Sequence, residues 1–204
     1  MIQTSFGISV INEQPSELFP LLEIEPADQI MPSTQIIQSK LLIRFSHWYL
    51  LANERSEQNE RESMLFELYR VRRAIAATVS VPSQLQLKSD LELQIQSLLD
   101  GAKTRGTNLY FDFGQAGPPE WMDANQCVSD PLWFRGKAWS PYWRIHGWHP
   151  ERWVRLYSKE DLRFLAQLAS ELKPRYVILG HSQRAKQWGD LQNELRTLAD
   201  GVVL

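Results

Sequence analysis

The stretch Gly106-Thr107-Asn108-Leu109-Tyr110-Phe111-Asp112-Phe113-Gly114 divides the chain. Between its glycines Leu109, Phe111 and Phe113 alternate with Tyr110 and Asp112, the period of two that puts one set on each face of a strand. Upstream the apolar residues recur at helical spacing, and downstream Gly and Pro interrupt every long run as far as Pro150. The stretch therefore sets the expected fold class as α+β. An N-terminal α-helical bundle of about three helices is followed by a Trp-rich mixed α/β half that closes with helix, strand and helix.

Working back from Gly106, Ser83 with Gln86 reads as a capping box for a helix whose face is Leu87, Leu91, Ile95 and Leu98, stopping near Gly101. Before Pro82, the residues Met64, Leu68, Val71, Ile75 and Val79 define a second helical face. Ser33 or Thr34 caps a third, with Ile37, Leu41, Phe45, Trp48 and Ala52 on one side. Pro15, Pro20, Pro26 and Pro32 exclude a long helix over residues 1–32, which read as an extended arm with a short strand over residues 5–11. The expected division is an arm at 1–32, a helical scaffold at 33–106 and a Trp/Arg-rich α/β region at 107–204. The last two are close enough in character to form one compact domain.

Working forward, Ser158 caps a helix through Asp161, with Leu162, Leu165, Ala169 and Leu172 on its face, and Pro174 ends it. Residues 176–179 make a short buried strand. Gly180 turns the chain, and a last helix carries Trp188, Leu191, Leu195 and Leu198 before Gly201.

The composition, 43% apolar and 23% charged over 204 residues, is that of a globular chain rather than a disordered one. No apolar run reaches the roughly 20 residues that span a bilayer, and the start of the chain has no signal-peptide pattern, so a soluble cytoplasmic protein without a membrane partner is expected. Cys127 is the one cysteine and forms no internal disulfide. The net charge of −2 argues against indiscriminate coating of nucleic acid. Charge is nonetheless uneven: residues 1–39 hold five acids and no Lys or Arg, whereas residues 133–159 hold Arg135, Lys137, Arg144, Arg152, Arg155 and Lys159 against Glu151.

Six of the eight tryptophans fall between residues 121 and 153. From Trp133 their intervals are six, four, five and five, which fits neither a helix nor a strand, so some rings are core and others belong to a surface. Exposed Trp beside Arg marks recognition surfaces and suits stacking and phosphate contact. On this ground Trp139, Trp143, Arg144, His146, Trp148, Arg152 and Arg155 are the candidate nucleic-acid- or partner-binding residues. Arg70, Arg72 and Arg73 would extend such a groove if they pack nearby.

Three chemical motifs compete with that reading. Gly180-His181-Ser182 resembles the nucleophile elbow of the Gly-x-Ser-x-Gly hydrolases. Arg184 stands in place of the second glycine, however, and the residues after Ser182 contain Asp190 and Asp200 but no histidine. The same turn, with His181, Arg184 and Lys186 at a helix start, is a weak anion site. His146 and His149 at H-x-x-H spacing could take Cys127, Asp123 or His181 as further ligands, but no second Cys or His pair accompanies them. Asp112, Glu120, Asp123 and Asp130 lie near enough in sequence to hold Mg²⁺.

The function expected from these residues is that of a non-catalytic accessory subunit, lacking cofactor and metal. It would work in a larger, nucleic-acid-handling assembly with other protein subunits and with DNA or RNA as partners. The alternatives are a metal-dependent hydrolase, nuclease- or phosphatase-like, using Asp112, Glu120 or Asp123 with His146 and His149, and a protein-only adaptor that docks through the arm.

Overall fold

The computed structural model of the protein describes residues 4–10, 21–24, 40–45, 55–71, 74–83, 85–86, 89–146, 157–180 and 188–203. Its strands are β1 (Ser5–Val10), β2 (Leu21–Ile24), β3 (Lys40–Phe45), β4 (Ala76–Ser80), β5 (Leu109–Asp112), β6 (Tyr142–Ile145) and β7 (Tyr176–Leu179). The helices among the described residues are α1 (Arg55–Val71), α2 (Leu91–Thr104), α3 (Lys159–Leu172) and α4 (Trp188–Val203). The class is thus mixed α/β. None of the helices is long and apolar enough to cross a membrane.

All strand pairs are parallel, in the order β5-β4-β3-β2-β1-β7-β6. The two ends of this row are joined by a short segment, residues 127–129. Cys127 bridges Phe111 of β5, and Ser129 bridges Trp143 of β6. Val128 N–H donates to Phe111 O at 2.8 Å, while Ser129 N–H donates to Tyr142 O and Arg144 N–H to Ser129 O, each at 2.9 Å. With that segment as an eighth stave the sheet closes on itself, and a closed parallel sheet leaves no long unpaired edge.

Closure explains the alternation along each stave. Leu42, Ala76, Tyr110, Val128, Tyr142, Tyr176 and Ile178 form the cluster inside the barrel. Their neighbours Ile43, Ala77, Phe111, Cys127, Trp143, Val177 and Leu179 point outward and pack with helix residues such as Leu65, Ile95, Leu165 and Leu198. The staves are buried on both faces, which is why they read as near-continuous apolar runs. Gly7 is needed where β1 meets β2, because a Cβ there would lie 2.4 Å from Leu21 O.

Several expectations change. The N-terminal helical bundle is not what occupies the first half of the chain, since β1 to β4 lie there. Residues 40–45, expected within a helix, are β3, and the face read as one helix from Met64 to Val79 is α1 followed by β4. The strand expected over residues 5–11 is present as β1, and it and β2, both within the residues read as an extended arm, are staves of the wall. Residues 1–32, 33–106 and 107–204 therefore contribute to one sheet. Downstream the strand at 109–112, α3 with its Ser158–Asp161 capping box, β7 and α4 occur as expected. The capping box expected at Ser83 and Gln86 is instead a turn in which Gln86 N–H donates to Ser83 O at 3.2 Å, and α2 begins at Leu91.

The tryptophans also find a reason. The connection before residues 127–129 contains two 3-10 turns, Gly114–Ala116 and Ala124–Gln126, the one after them a hydrogen-bonded turn over residues 131–136, and neither holds an α-helix. Bulky side chains from these loops, Met122, Leu132 and Trp139, join the outer cluster there together with Trp143 of β6. Trp143 is 1% exposed, and its indole N–H donates to Ser140 O at 3.0 Å; that of Trp139 donates to Val128 O at 3.2 Å. Loops with large rings cover the wall where a helix would otherwise do so.

Candidate functional site

In parallel barrels the loops that follow the strands gather at their carboxyl ends, and reactive side chains sit there on rigid staves. The inward positions at that end of this barrel are polar. Reading round the wall, β2 supplies Glu23, β3 Arg44, β4 Thr78 and Ser80, and β5 Asp112. Asp130 follows the short stave, β6 supplies Arg144, and His146 comes directly after it.

His146 is the centre of this group. Its Nδ1 lies 3.0 Å from Asp130 Oδ2, and its Nε2 lies 3.3 Å from Asp112 Oδ2. Asp130 is itself held firmly: Oδ1 accepts the N–H groups of Leu132 and Trp133, each at 3.1 Å, and Oδ2 accepts the backbone N–H of His146 at 2.9 Å. Asp112 Oδ2 accepts Arg44 Nη1 at 2.6 Å, and its Oδ1 accepts Gly114 N–H at 2.9 Å. The His146 side chain is 28% exposed, against 4% for Asp112 and 6% for Asp130, so the imidazole is the part of this set that solvent reaches.

Deeper in the barrel, Glu23 accepts Arg144 Nε and the Tyr142 hydroxyl, both at 2.7 Å. Gly180 at the end of β7 makes room for that arrangement. A Cβ there would lie 2.8 Å from Ile145 O and 3.6 Å from Cζ of Arg144.

These contacts bias the protonation states. Burial alone would raise the Asp112 carboxyl, but Arg44, His146 and Arg144 outweigh it and hold it well below the usual carboxylate range. Glu23 follows the same logic, with burial opposed by Arg144 and Arg44, and is lowered. Burial would lower His146, yet Asp112 and Asp130 overcome that and raise it above the ordinary imidazole value. A neutral ring would turn a lone pair toward one of its two carboxylates, whereas the imidazolium donates to both. Burial and the Glu23 charge push Tyr142 far up, so its hydroxyl stays a donor.

The residues selected from sequence separate under this geometry. Of the candidate interface set, Arg144 and Trp143 are buried and point to opposite faces of β6, Trp139 is half-buried in the outer cluster, and His146 is in the barrel mouth. Buried side chains offer nothing for nucleic acid to touch, so Arg144 and Trp143 leave that list. Trp148, Arg152 and Arg155 lie outside the described residues, as do His149, Arg72, Arg73, Ser182 and the anion site proposed around it. Trp121, exposed at 41%, stands edge-on to Phe113.

For the metal reading, Asp112 and His146 do come together, but Glu120 and Asp123 are exposed on the following loop. The Arg44 guanidinium occupies the Asp112 oxygen nearest His146. Among the described residues no group of three His, Cys, Asp or Glu side chains is placed to hold a metal ion. Cys127 is buried on the outer face with its thiol pushed up to about 12, chiefly by burial, and is neither nucleophile nor ligand. Sequence reasoning missed Glu23 and Arg44 and took Asp130 only as a Mg²⁺ candidate. The signal of the first two was a charged residue inside an apolar run, LLEI and LLIRF, which is costly unless a partner waits across the core.

No protein-family model matches the chain, and no curated protein matches it. Among solved structures it is similar to the endo-beta-N-acetylglucosaminidase from Cordyceps militaris in apo form. The identity is 12%, over 95% of this chain and 72% of that one, with a TM-score of 0.47. A likeness at that level carries neither fold nor activity across.

Proposed function

We propose that the protein acts on a small polar molecule at the carboxyl-end mouth of the barrel, by proton transfer through His146. The observation that carries this reading is the imidazole held between Asp130 and Asp112 at 3.0 and 3.3 Å while its side chain keeps 28% exposure. Asp130 orients the ring through Nδ1, the role a carboxylate plays behind a catalytic histidine. Nε2 then presents its proton toward the barrel axis, beside a carboxylate that Arg44 keeps ionised. Held between two carboxylates that favour its charged form, His146 acts first as an acid, giving its proton to a substrate oxygen, and recovers it in the second half of the cycle.

The test is turnover of a panel of small metabolites by the intact protein and by His146→Gln, with circular dichroism as the check on folding. A compound consumed by the parent, and about 10²- to 10⁴-fold more slowly by the variant, supports the reading. Turnover unchanged in a folded His146→Gln protein removes it.

A second reading keeps the accessory role in a nucleic-acid-handling assembly. It is favoured by exposed Arg135 and Lys137 on the turn after Asp130, beside half-buried Trp133, Phe134 and Trp139. Binding of labelled DNA and RNA that weakens steeply with salt, and is lost on Arg135→Ala with Lys137→Ala, would favour it over the first.

A further inference from the structure

We propose that the barrel mouth receives an uncharged oxygen function of its substrate, a carbonyl, ether or hydroxyl group, and rejects phosphates and carboxylates. This rests on the proton-transfer reading of the same site and adds a substrate class to it.

Six charged side chains among the described residues meet at the mouth: Arg44, Arg144 and protonated His146 against Glu23, Asp112 and Asp130. Their signs cancel. Each cation, moreover, already faces a carboxylate: Arg44 on Asp112 at 2.6 Å, Arg144 on Glu23 at 2.7 Å, and His146 between Asp112 and Asp130. An entering oxyanion would bring one or two further negative charges beside three carboxylates that are almost wholly out of water, where charge repulsion is poorly screened. Loss of the His146 proton would add to the negative excess, so neither state of the ring welcomes an anion.

An uncharged oxygen disturbs none of this. It takes the Nε2–H of His146, whose 3.3 Å contact with Asp112 is the longest among these pairs and the easiest to exchange. Ser80, partly exposed and in register with Asp112 across β4 and β5, sets a hydroxyl at the same height of the wall. A hydroxyl on the ligand can in turn donate to the Asp112 carboxylate. Polyols and hydroxycarbonyl compounds carry both functions.

The experiment follows the His146 ring signals of the isotope-labelled full chain by NMR, at fixed pH and ionic strength. The probes are inorganic phosphate, acetate, dihydroxyacetone and erythritol. Expected are saturable shifts with the neutral compounds at lower concentration than with either anion. Asp112→Asn leaves Arg44 beside an uncharged amide, and phosphate should then bind at least about tenfold tighter than to the parent. Adding Arg44→Gln should abolish the gain. Glu23→Gln, which uncovers Arg144, provides the same test should Asp112→Asn fail to fold. The reverse order of affinities in the parent protein overturns the proposal, as does a folded Asp112→Asn or Glu23→Gln protein with no gain for phosphate. A parent that prefers phosphate while still needing His146 for turnover overturns the substrate class alone. Turnover indifferent to His146→Gln removes the proton-transfer reading instead.

Discussion

A single oxygen, Oδ2 of Asp130, accepts both the backbone N–H of His146 at 2.9 Å and the ring N–H at Nδ1 at 3.0 Å. The carboxylate thereby fixes the position of the residue and the orientation of its ring together. Asp130→Asn keeps an oxygen for the N–H groups of Leu132 and Trp133 only by turning its N–H₂ toward the backbone N–H and Nδ1 of His146. The ring then loses its anionic partner. The expected result is a His146 pKa lower than in the parent and a change of tautomer, read from ring ¹⁵N shifts, with the fold retained. A ring that titrates unchanged would show that Asp130 serves only the loop at 131–133.

Stability should pass through a maximum in pH that reflects two shifts of opposite sign. His146 is raised in the folded state, so its contribution is complete below the ordinary imidazole value and is lost as pH rises through the folded one. Asp112 is depressed, so its contribution is complete above the ordinary carboxylate value and is lost as pH falls toward the folded one. Urea unfolding across that range should decline on both sides of the plateau, and His146→Gln should flatten the alkaline side while sparing the acidic one. An unchanged alkaline limb in that variant would assign the decline to another group.

The fold was only half legible because the first staves are ambiguous in one dimension. Leu41 and Phe45 share a helical face at a spacing of four, and they also share a strand face with Ile43 between them. In KLLIRF both faces are buried, so the polar alternation that would have settled the matter is absent. Residues 109–112 were readable for the converse reason: glycines frame them and the polar Asp112 sits on the inner face. The site was less legible than the fold. Asp112 and His146 were singled out as chemistry, but Arg44, Glu23 and Asp130 lie 68, 121 and 16 positions from the groups they pair with, Asp112, Arg144 and His146. Only closure of the barrel brings them together. The Trp-rich stretch reads as part core and part surface because its rings follow no period. In loops that replace an outer helix, rings cover the wall from irregular positions.

Glu23→Gln tests the deeper pair. Arg144 is buried and held in its charged form by Glu23 and Asp112, so removing one partner leaves a guanidinium with an amide and a cost of about 3–5 kcal/mol. The paired change Glu23→Gln with Arg144→Met removes both charges and should recover much of that loss. Denaturant titrations of the parent, Glu23→Gln, Arg144→Met and the double variant give the coupling directly. Additive losses would mean that the two side chains do not act as a pair.

Thr78 offers the opposite case, a polar group whose removal should help. It lies on β4 in register with Arg44 and Tyr110, on the same face as Ala76 inside the barrel, and it is fully buried. Its Oγ1 meets no hydrogen-bond partner. A buried hydroxyl left unpaired gives up its hydration without recompense, at a cost of about 1–3 kcal/mol. Valine has the same branched shape and an equal liking for strands, so Thr78→Val exchanges the hydroxyl for a methyl at nearly constant volume. The expected gain is about 1 kcal/mol, or about 2–4 °C in melting temperature for a chain of this size. Thermal unfolding at fixed pH measures it. A loss of stability instead would show that the hydroxyl is satisfied in solution, since deleting a satisfied hydroxyl is costly.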